Sequence, residues 1–403
     1  MREKWEQASE SSYVEIEGNQ IVSLEREKGK HFSYRVQSGD FMGIHYLSNR
    51  LDDETGFAIA MKQLKEKPRW YPFAPETGKR SRNLTKTLPT DGELLELARE
   101  CLDGLKKDYP QFLFVEGAFG TEREWEHWTN DAGMDFVNAD GKVRFGLTFK
   151  HRESFDDYDG WFGCDYRTFD KNRFYRMADF FLGSFERVVK LPEELFIALP
   201  YCELMSPFHN GLHAESLIKG TSMFSGHIGE KLFSESFTLM DDVSDGACLF
   251  TPFWDGEGCV RADDRRIFIE NGILLNGYAD KRISKQYDVP HTAGAVANYL
   301  GLPAAGCQNL RISEDAKTLK ELLGGRICVL PILTDGGGFD DRGCFTQPVQ
   351  FALLYDGERV LGRLPQFTIT SNLFDMFGKD FVGTCEEHPF GSDAMVLFKA
   401  HRC

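Results

Sequence analysis

From about residue 196 to the C-terminus every apolar run is short. Gly256, Gly272, Gly277, Gly324, Gly325, Gly336 to Gly338, Gly343 and Gly357 keep interrupting it. Glycine weakens a helix interior by about 1 kcal/mol relative to alanine and supplies the positive φ that tight turns need. A segment punctuated this way is expected to form a sheet-rich C-terminal domain with few helices.

The N-terminal half reads differently. Val14, Ile16, Ile21, Val22 and Leu24 alternate around Gly18-Asn19, and Phe32, Tyr34 and Val36 follow Gly29, as hairpin strands do. Helical spacing then runs from Asp52 through Phe57, Ala60, Met61 and Leu64 to Pro68, and again from Asp91 through Leu94, Ala98, Cys101, Leu102 and Leu105 to Pro110. Between these helices, residues 68–92 hold four prolines and the basic group Lys79, Arg80, Arg82 and Lys86, which reads as a linker arm. Strand-like runs follow at 112–119 and 143–149, with Asn130-Asp131 and Asp140-Gly141 as turn signals. The ring-rich stretch 153–185 reads as a helix and loop packing aromatics into a core, since its acidic companions argue against a base-stacking platform. The order is α+β rather than repeated βαβ. We expect an N-terminal α/β hairpin-and-helix domain over 1–75, a linker arm and middle α+β region over 76–195, and the β-rich domain over 196–403.

Hydrophobic residues make up 41% of the chain and include 34 Phe, enough for a packed core. The net charge of −16 repels phosphate backbones and anionic lipids, so neither nucleic acid nor membrane is an expected partner. No apolar run approaches the roughly 18 residues of a membrane span, and no apolar stretch follows the charged start Met1 to Glu6, so a cytoplasmic location is expected. The ten cysteines are dispersed and contain no CxxC pair, which predicts reduced thiols and no zinc ribbon.

The segment Ser206 to Leu217 reads as one short helix, with Ser as cap, Pro at the first position and Gly220 to close it. On that helix His209 and His213 share a face and could hold one cation. A hydrolytic zinc site also needs a carboxylate beside the first histidine to take the proton of the bound water. Asn210 stands there, and Glu215 is turned away by its spacing from His209.

The chain beyond this helix carries a resemblance. Lys219-Gly220-Thr221-Ser222-Met223-Phe224-Ser225-Gly226-His227-Ile228-Gly229-Glu230-Lys231, the pair Asp241-Asp242, Asp255-Gly256-Glu257-Gly258, Ile269 to Leu274 and His291 to Gly294 succeed one another. In that order they resemble the C-terminal domain of the TldD/PmbA family. Arg342 to Thr346, Leu353 to Glu358 and Thr368 to Leu373 are similar to later elements of the same domain. The resemblance is specific from about 204 to 398 and looser before it.

It implies a C-terminal metallopeptidase-like domain. Active members carry HExxxH just before KGTS, and a cysteine near the C-terminus, as zinc ligands. The register puts His209 near the second histidine and places Leu204 and Met205 where the first histidine and its glutamate belong. Cys385 lies near the family's ligating cysteine. The resemblance thus implies a degenerate metal site. The chain is expected to bind or act on unfolded peptides held as an added strand, with little activity alone, as a homodimer or paired with a related chain. No cofactor is expected, zinc being the metal such a site would take. The alternative is an active zinc-dependent metallopeptidase using His209, His213 and Cys385. A thiol hydrolase built on Cys385 with His388 or His209 is a third reading. The family's label as a modulator of DNA gyrase finds no support in the charge, and catalytic residues stay unassigned.

Overall fold

The computed structural model describes residues 1–402 except 50, 73, 297–301 and 392. The N-terminal alternation becomes a long hairpin, β1 (Arg2–Glu17) against β2 (Gln20–Ser38), paired from Arg2↔Val36 to Glu17↔Gln20. Gly18 and Asn19 turn it at φ of 53° and 68°, the left-handed region that a two-residue hairpin requires. Strand β3 (Phe41–Leu47) continues the sheet. Helix α1 (Asp53–Glu66) starts where the Asp52 side chain accepts the Thr55 amide, and ends just before Pro68.

The segment 68–92 is not a free arm. It contributes β4 (Arg69–Trp70) and β5 (Gly78–Asn83), and β5 lies parallel to a later strand of the same sheet. The basic residues that suggested solvent instead fasten this strand to the C-terminal part. Arg80 pairs with Asp264 at 2.6 Å, and buried Arg82 donates to the Val243 carbonyl at 2.6 Å and to that of Thr251. Helix α2 (Asp91–Asp108) opens on a Thr90–Glu93 capping box.

Beyond it, β6 (Phe112–Asn130) and β7 (Met134–His151) are far longer than their apolar runs suggest. Asn130 does turn the chain, its side chain accepting the Ala132 and Met134 amides at 3.0 Å each. Asp140-Gly141 does not. Asp140 sits inside β7, 2% exposed, gripped by Arg167 at 2.9 and 2.8 Å and by the Phe250 amide at 3.1 Å. With β8 (Gly160–Tyr166) on β7, the first sheet runs β4-β3-β2-β1-β6-β7-β5, so strands from both sides of residue 75 share it. The ring-rich stretch is core in part: Phe162 of β8, Phe174 and Phe181 of α3 (Lys171–Leu182), and Phe185 are buried as expected, but Phe155, Tyr158 and Trp161 are exposed and 160–166 is a strand.

In the C-terminal half, β9 (Leu195–Pro200) and the strands Met395–Arg402, Phe367–Asn372, Cys344–Tyr355 and Cys328–Thr334 pair in that order, and the last pairs back to β9. The ring closes, which spares these strands the open edges that invite aggregation. Both of its faces are buried. Leu195, Ile197 and Leu199 pack with Phe208, Phe233 and Phe377 on one side. Ala198, Leu353 and Leu397 pack with Phe119, Phe145 and Phe174 of the N-terminal half on the other. A second, four-stranded sheet of Leu239–Asp242, Arg265–Glu270, Ile273–Leu274 and Leu310–Ile312 carries the loops of the candidate site. The architecture is α+β. Among the described residues no helix is long and apolar enough to cross a membrane.

Candidate functional site

The expected helix 206–217 is two helices, α4 (Ser206–Gly211) and α5 (Ala214–Lys219). The break has a tertiary cause. His213 is extended (φ −65°, ψ 115°), and the backbone on either side of it bonds Tyr278: the Tyr278 amide donates to Leu212 O at 2.8 Å, and Ala214 N donates to Tyr278 O at 3.0 Å. His209 and His213 therefore do not share a helical face. Partial desolvation by the surrounding protein lowers the pKa of both imidazoles, although His209 is exposed and His213 only half-buried. Leu204 and Met205, in the register of the family's first histidine and glutamate, are 0% and 3% exposed and belong to the core.

Cys385 joins the other core, on the side of the ring that faces the N-terminal sheet. Its thiol donates to the Glu387 carbonyl at 3.3 Å, and burial pushes it up to about 12. That is the opposite of the lowered pKa an activated nucleophile has, and it speaks against the third reading, a thiol hydrolase. The structure does not bring His209, His213 and Cys385 together: among the described residues, the ligand atoms that converge on a point belong to others.

His388 is a buried imidazole whose Nδ1 accepts the Phe390 amide at 3.2 Å. Burial, seconded by the Arg173 charge, lowers its pKa to about 3. The sign follows from which form the fold prefers. The neutral imidazole is favoured, so its contribution is complete above the unfolded value of about 6.5 and is lost as pH falls toward 3, at up to about 1.4 kcal/mol per pH unit. His388→Gln should flatten the acid limb of the stability-versus-pH curve by that slope. Denaturant melts from pH 7 to pH 4 would reveal it, and parallel curves would refute it.

The residues that do converge are Asp255, Glu257, Cys259 and His291, each offering one ligand atom within 4.8 Å of the others. Phe253 and Trp254 anchor the loop that carries three of them, buried among Trp5, Trp128, Met134 and Phe136 of the first sheet. Trp254 then bridges to Val260, and Asp255 N donates to the Cys259 carbonyl at 2.9 Å, which closes the loop. Gly258 completes the turn at φ 79°. Asp255 Oδ1 accepts the amides of Glu257 and Cys259, both at 2.9 Å. His291 Nε2 lies 2.9 Å from Glu257 Oε2 and 4.0 Å from Cys259 Sγ. Around them, the Tyr71 hydroxyl donates to Glu257 Oε1, the Lys281 amide donates to both Glu257 oxygens at 2.9 and 3.2 Å, and the Cys259 thiol donates to Glu76 at 3.1 Å.

Burial, then the neighbouring Glu257 charge, holds Asp255 above the usual carboxylate range. The Cys259 thiol is raised by burial and by the Asp255 charge. For His291 burial pulls downward, but the Glu257 carboxylate outweighs it and the pKa rises. These four residues can hold a metal ion. Sequence reasoning singled out Asp255, Glu257 and His291 only as motif residues and passed over Cys259, because the ligand set forms only when a loop and a residue 32 positions beyond it meet. The D-x-E-x-C spacing was the available signal.

A family profile described as the PmbA/TldA metallopeptidase C-terminal domain matches residues 199–395. An uncharacterised protein of Methanocaldococcus jannaschii is 23% identical over 380 residues, which cover 90% of this chain and 86% of that protein. The chain also has the fold of TldE from Thermococcus kodakarensis, with a TM-score of 0.80 at 18% identity over 100% of this chain and 96% of that one. A candidate modulator of a DNA gyrase from Thermotoga maritima superposes with a TM-score of 0.76 at 16% identity, covering 100% and 95% of the two chains. Residues 199–395 thus belong to the PmbA/TldA metallopeptidase C-terminal domain family, and the whole chain shares the fold of TldE.

Proposed function

We propose that this chain is a metallopeptidase-like protein that binds unfolded polypeptide and does not cleave it alone. One observation carries the reading: where the family's first histidine and glutamate would lie, Leu204 and Met205 are buried core side chains. Neither side chain can take a proton from a bound water, a contribution of about 10²- to 10⁴-fold in rate. A polypeptide site has support in a cleft of about 720 Å³ between the two halves, lined by Trp161, Tyr166, Tyr201, Glu203, Arg167 and Asp393. Strand β8 borders it and, among the described strands, pairs only with β7. An extended segment can add to its other edge through main-chain hydrogen bonds. Pairing with a second copy or a related chain belongs to the same proposal, and only a related chain that keeps the family's ligands would supply the hydrolysis.

The expected result with a reduced, carboxymethylated unfolded protein is binding without chelator-sensitive cleavage. Trp161, half exposed at the cleft, should act as an anchor, so Trp161→Ala should weaken binding by at least about fivefold. Cleavage by the chain alone that is lost on chelation and in His209→Ala would overturn the proposal.

A further inference from the structure

We infer that Asp255, Glu257, Cys259 and His291 form a closed site for one zinc-like divalent cation, distinct from the histidine helix and structural in role. The convergence is the first argument. A tetrahedral ion with bonds of about 2.0–2.3 Å needs donors about 3.3–3.8 Å apart. The Glu257–His291 and Cys259–His291 separations of 2.9 and 4.0 Å bracket that range.

The second argument is an orphan. Asp255 is 1% exposed and its Oδ2 has no hydrogen-bond partner among the described residues, although its Oδ1 accepts two amides. A buried acceptor left unpaired costs about 1–3 kcal/mol, which a cation at this point removes. Charge points the same way. Asp255 and Glu257 bring two carboxylates to this point, while the Lys281 ammonium is engaged 2.8 Å away by a third, Glu76.

Chemistry narrows the ion. A thiol and an imidazole among the donors favour zinc over magnesium or calcium, which take oxygen ligands. A Cys–His–carboxylate relay is a poorer description, because it uses both imidazole nitrogens. Here the same Nε2 faces both Glu257 and Cys259, and Nδ1 has only a long 3.4 Å contact from the Ala293 amide. Four protein donors leave no open position for a substrate water, which marks a structural site. Tyr71 and the Lys281 amide orient Glu257, as second-layer partners of metal ligands do. Because Tyr71 and Glu76 come from the segment beside β5, the ion would fasten that segment to the C-terminal domain.

The test uses the full chain, purified without metal-affinity resin. Elemental analysis should find one zinc per chain. Cobalt added after chelation should give a thiolate-to-cobalt charge-transfer band with tetrahedral d–d bands. Cys259→Ser should abolish the charge-transfer band, and His291→Ala should weaken binding at least about tenfold. His209→Ala and Cys385→Ser should change neither. Wild-type protein that is folded by circular dichroism yet binds no ion overturns this inference and leaves the proposed function standing. An ion lost in His209→Ala or Cys385→Ser, but retained in Cys259→Ser, overturns this inference, and the cleavage assay then decides the proposed function. Should Cys259→Ser fail to fold, His291→Ala decides, since its ring is only partly buried.

Discussion

Replacing Asp241 with alanine should cost the fold about 3–5 kcal/mol, the usual penalty for stranding one partner of a buried ion pair. Asp241 is 1% exposed, and its Oδ2 accepts from Arg261 Nη2 at 2.8 Å and from the Gln308 amide at 3.1 Å. Its Oδ1 accepts the Asn309 amide at 2.7 Å. Without the carboxylate, buried Arg261 keeps the Ala293 carbonyl at 2.8 Å, while its Nε and Nη1 already have no hydrogen-bond partner among the described residues. The lost interactions tie the strand Leu239–Asp242 to Arg261 and to the segment 308–309, next to the loop of the candidate cation site. Urea unfolding should show a lower midpoint at unchanged slope. The double variant Asp241→Ala/Arg261→Met should recover part of the loss, since it removes the stranded charge. A single-variant loss below about 1 kcal/mol would mean that the pair contributes little.

Phe208→Ala should be comparably severe, at about 3–5 kcal/mol. The ring is fully buried, with Phe224, Phe233, Phe237 and Phe377 centred 5.9, 5.7, 5.6 and 5.3 Å away. Neighbouring rings on separate segments cannot collapse far into the space it leaves, so a cavity term adds to the lost burial. The adjacent His209 is a control from the same helix. Its imidazole makes no hydrogen bond to the described residues, and His209→Ala should cost less than about 1 kcal/mol. Thermal or denaturant melts of the two variants would separate them. Equal losses would show that the histidine matters to the packing as much as the phenylalanine does.

The amino-acid sequence by itself determined the features whose physics is local. Gly18-Asn19 turns a hairpin because those residues adopt positive φ cheaply, and α1 and α2 begin at Asp52 and Thr90 because those side chains cap the first amides. The motif order from Lys219 to Leu373 was equally legible. Tertiary structure decided what depends on partners far along the chain. Asp140-Gly141 has turn chemistry, yet it lies in a strand because Arg167 and the Phe250 amide are waiting for the carboxylate. Arg80 and Arg82 look solvated until Asp264 and the Val243 carbonyl meet them. The helix of 206–217 breaks because Tyr278 offers the backbone around His213 a better set of hydrogen bonds than a continuous helix would. The four donors of Asp255, Glu257, Cys259 and His291 meet only after Phe253 and Trp254 are buried against the first sheet, a contact between residues far apart along the chain that no local pattern encodes.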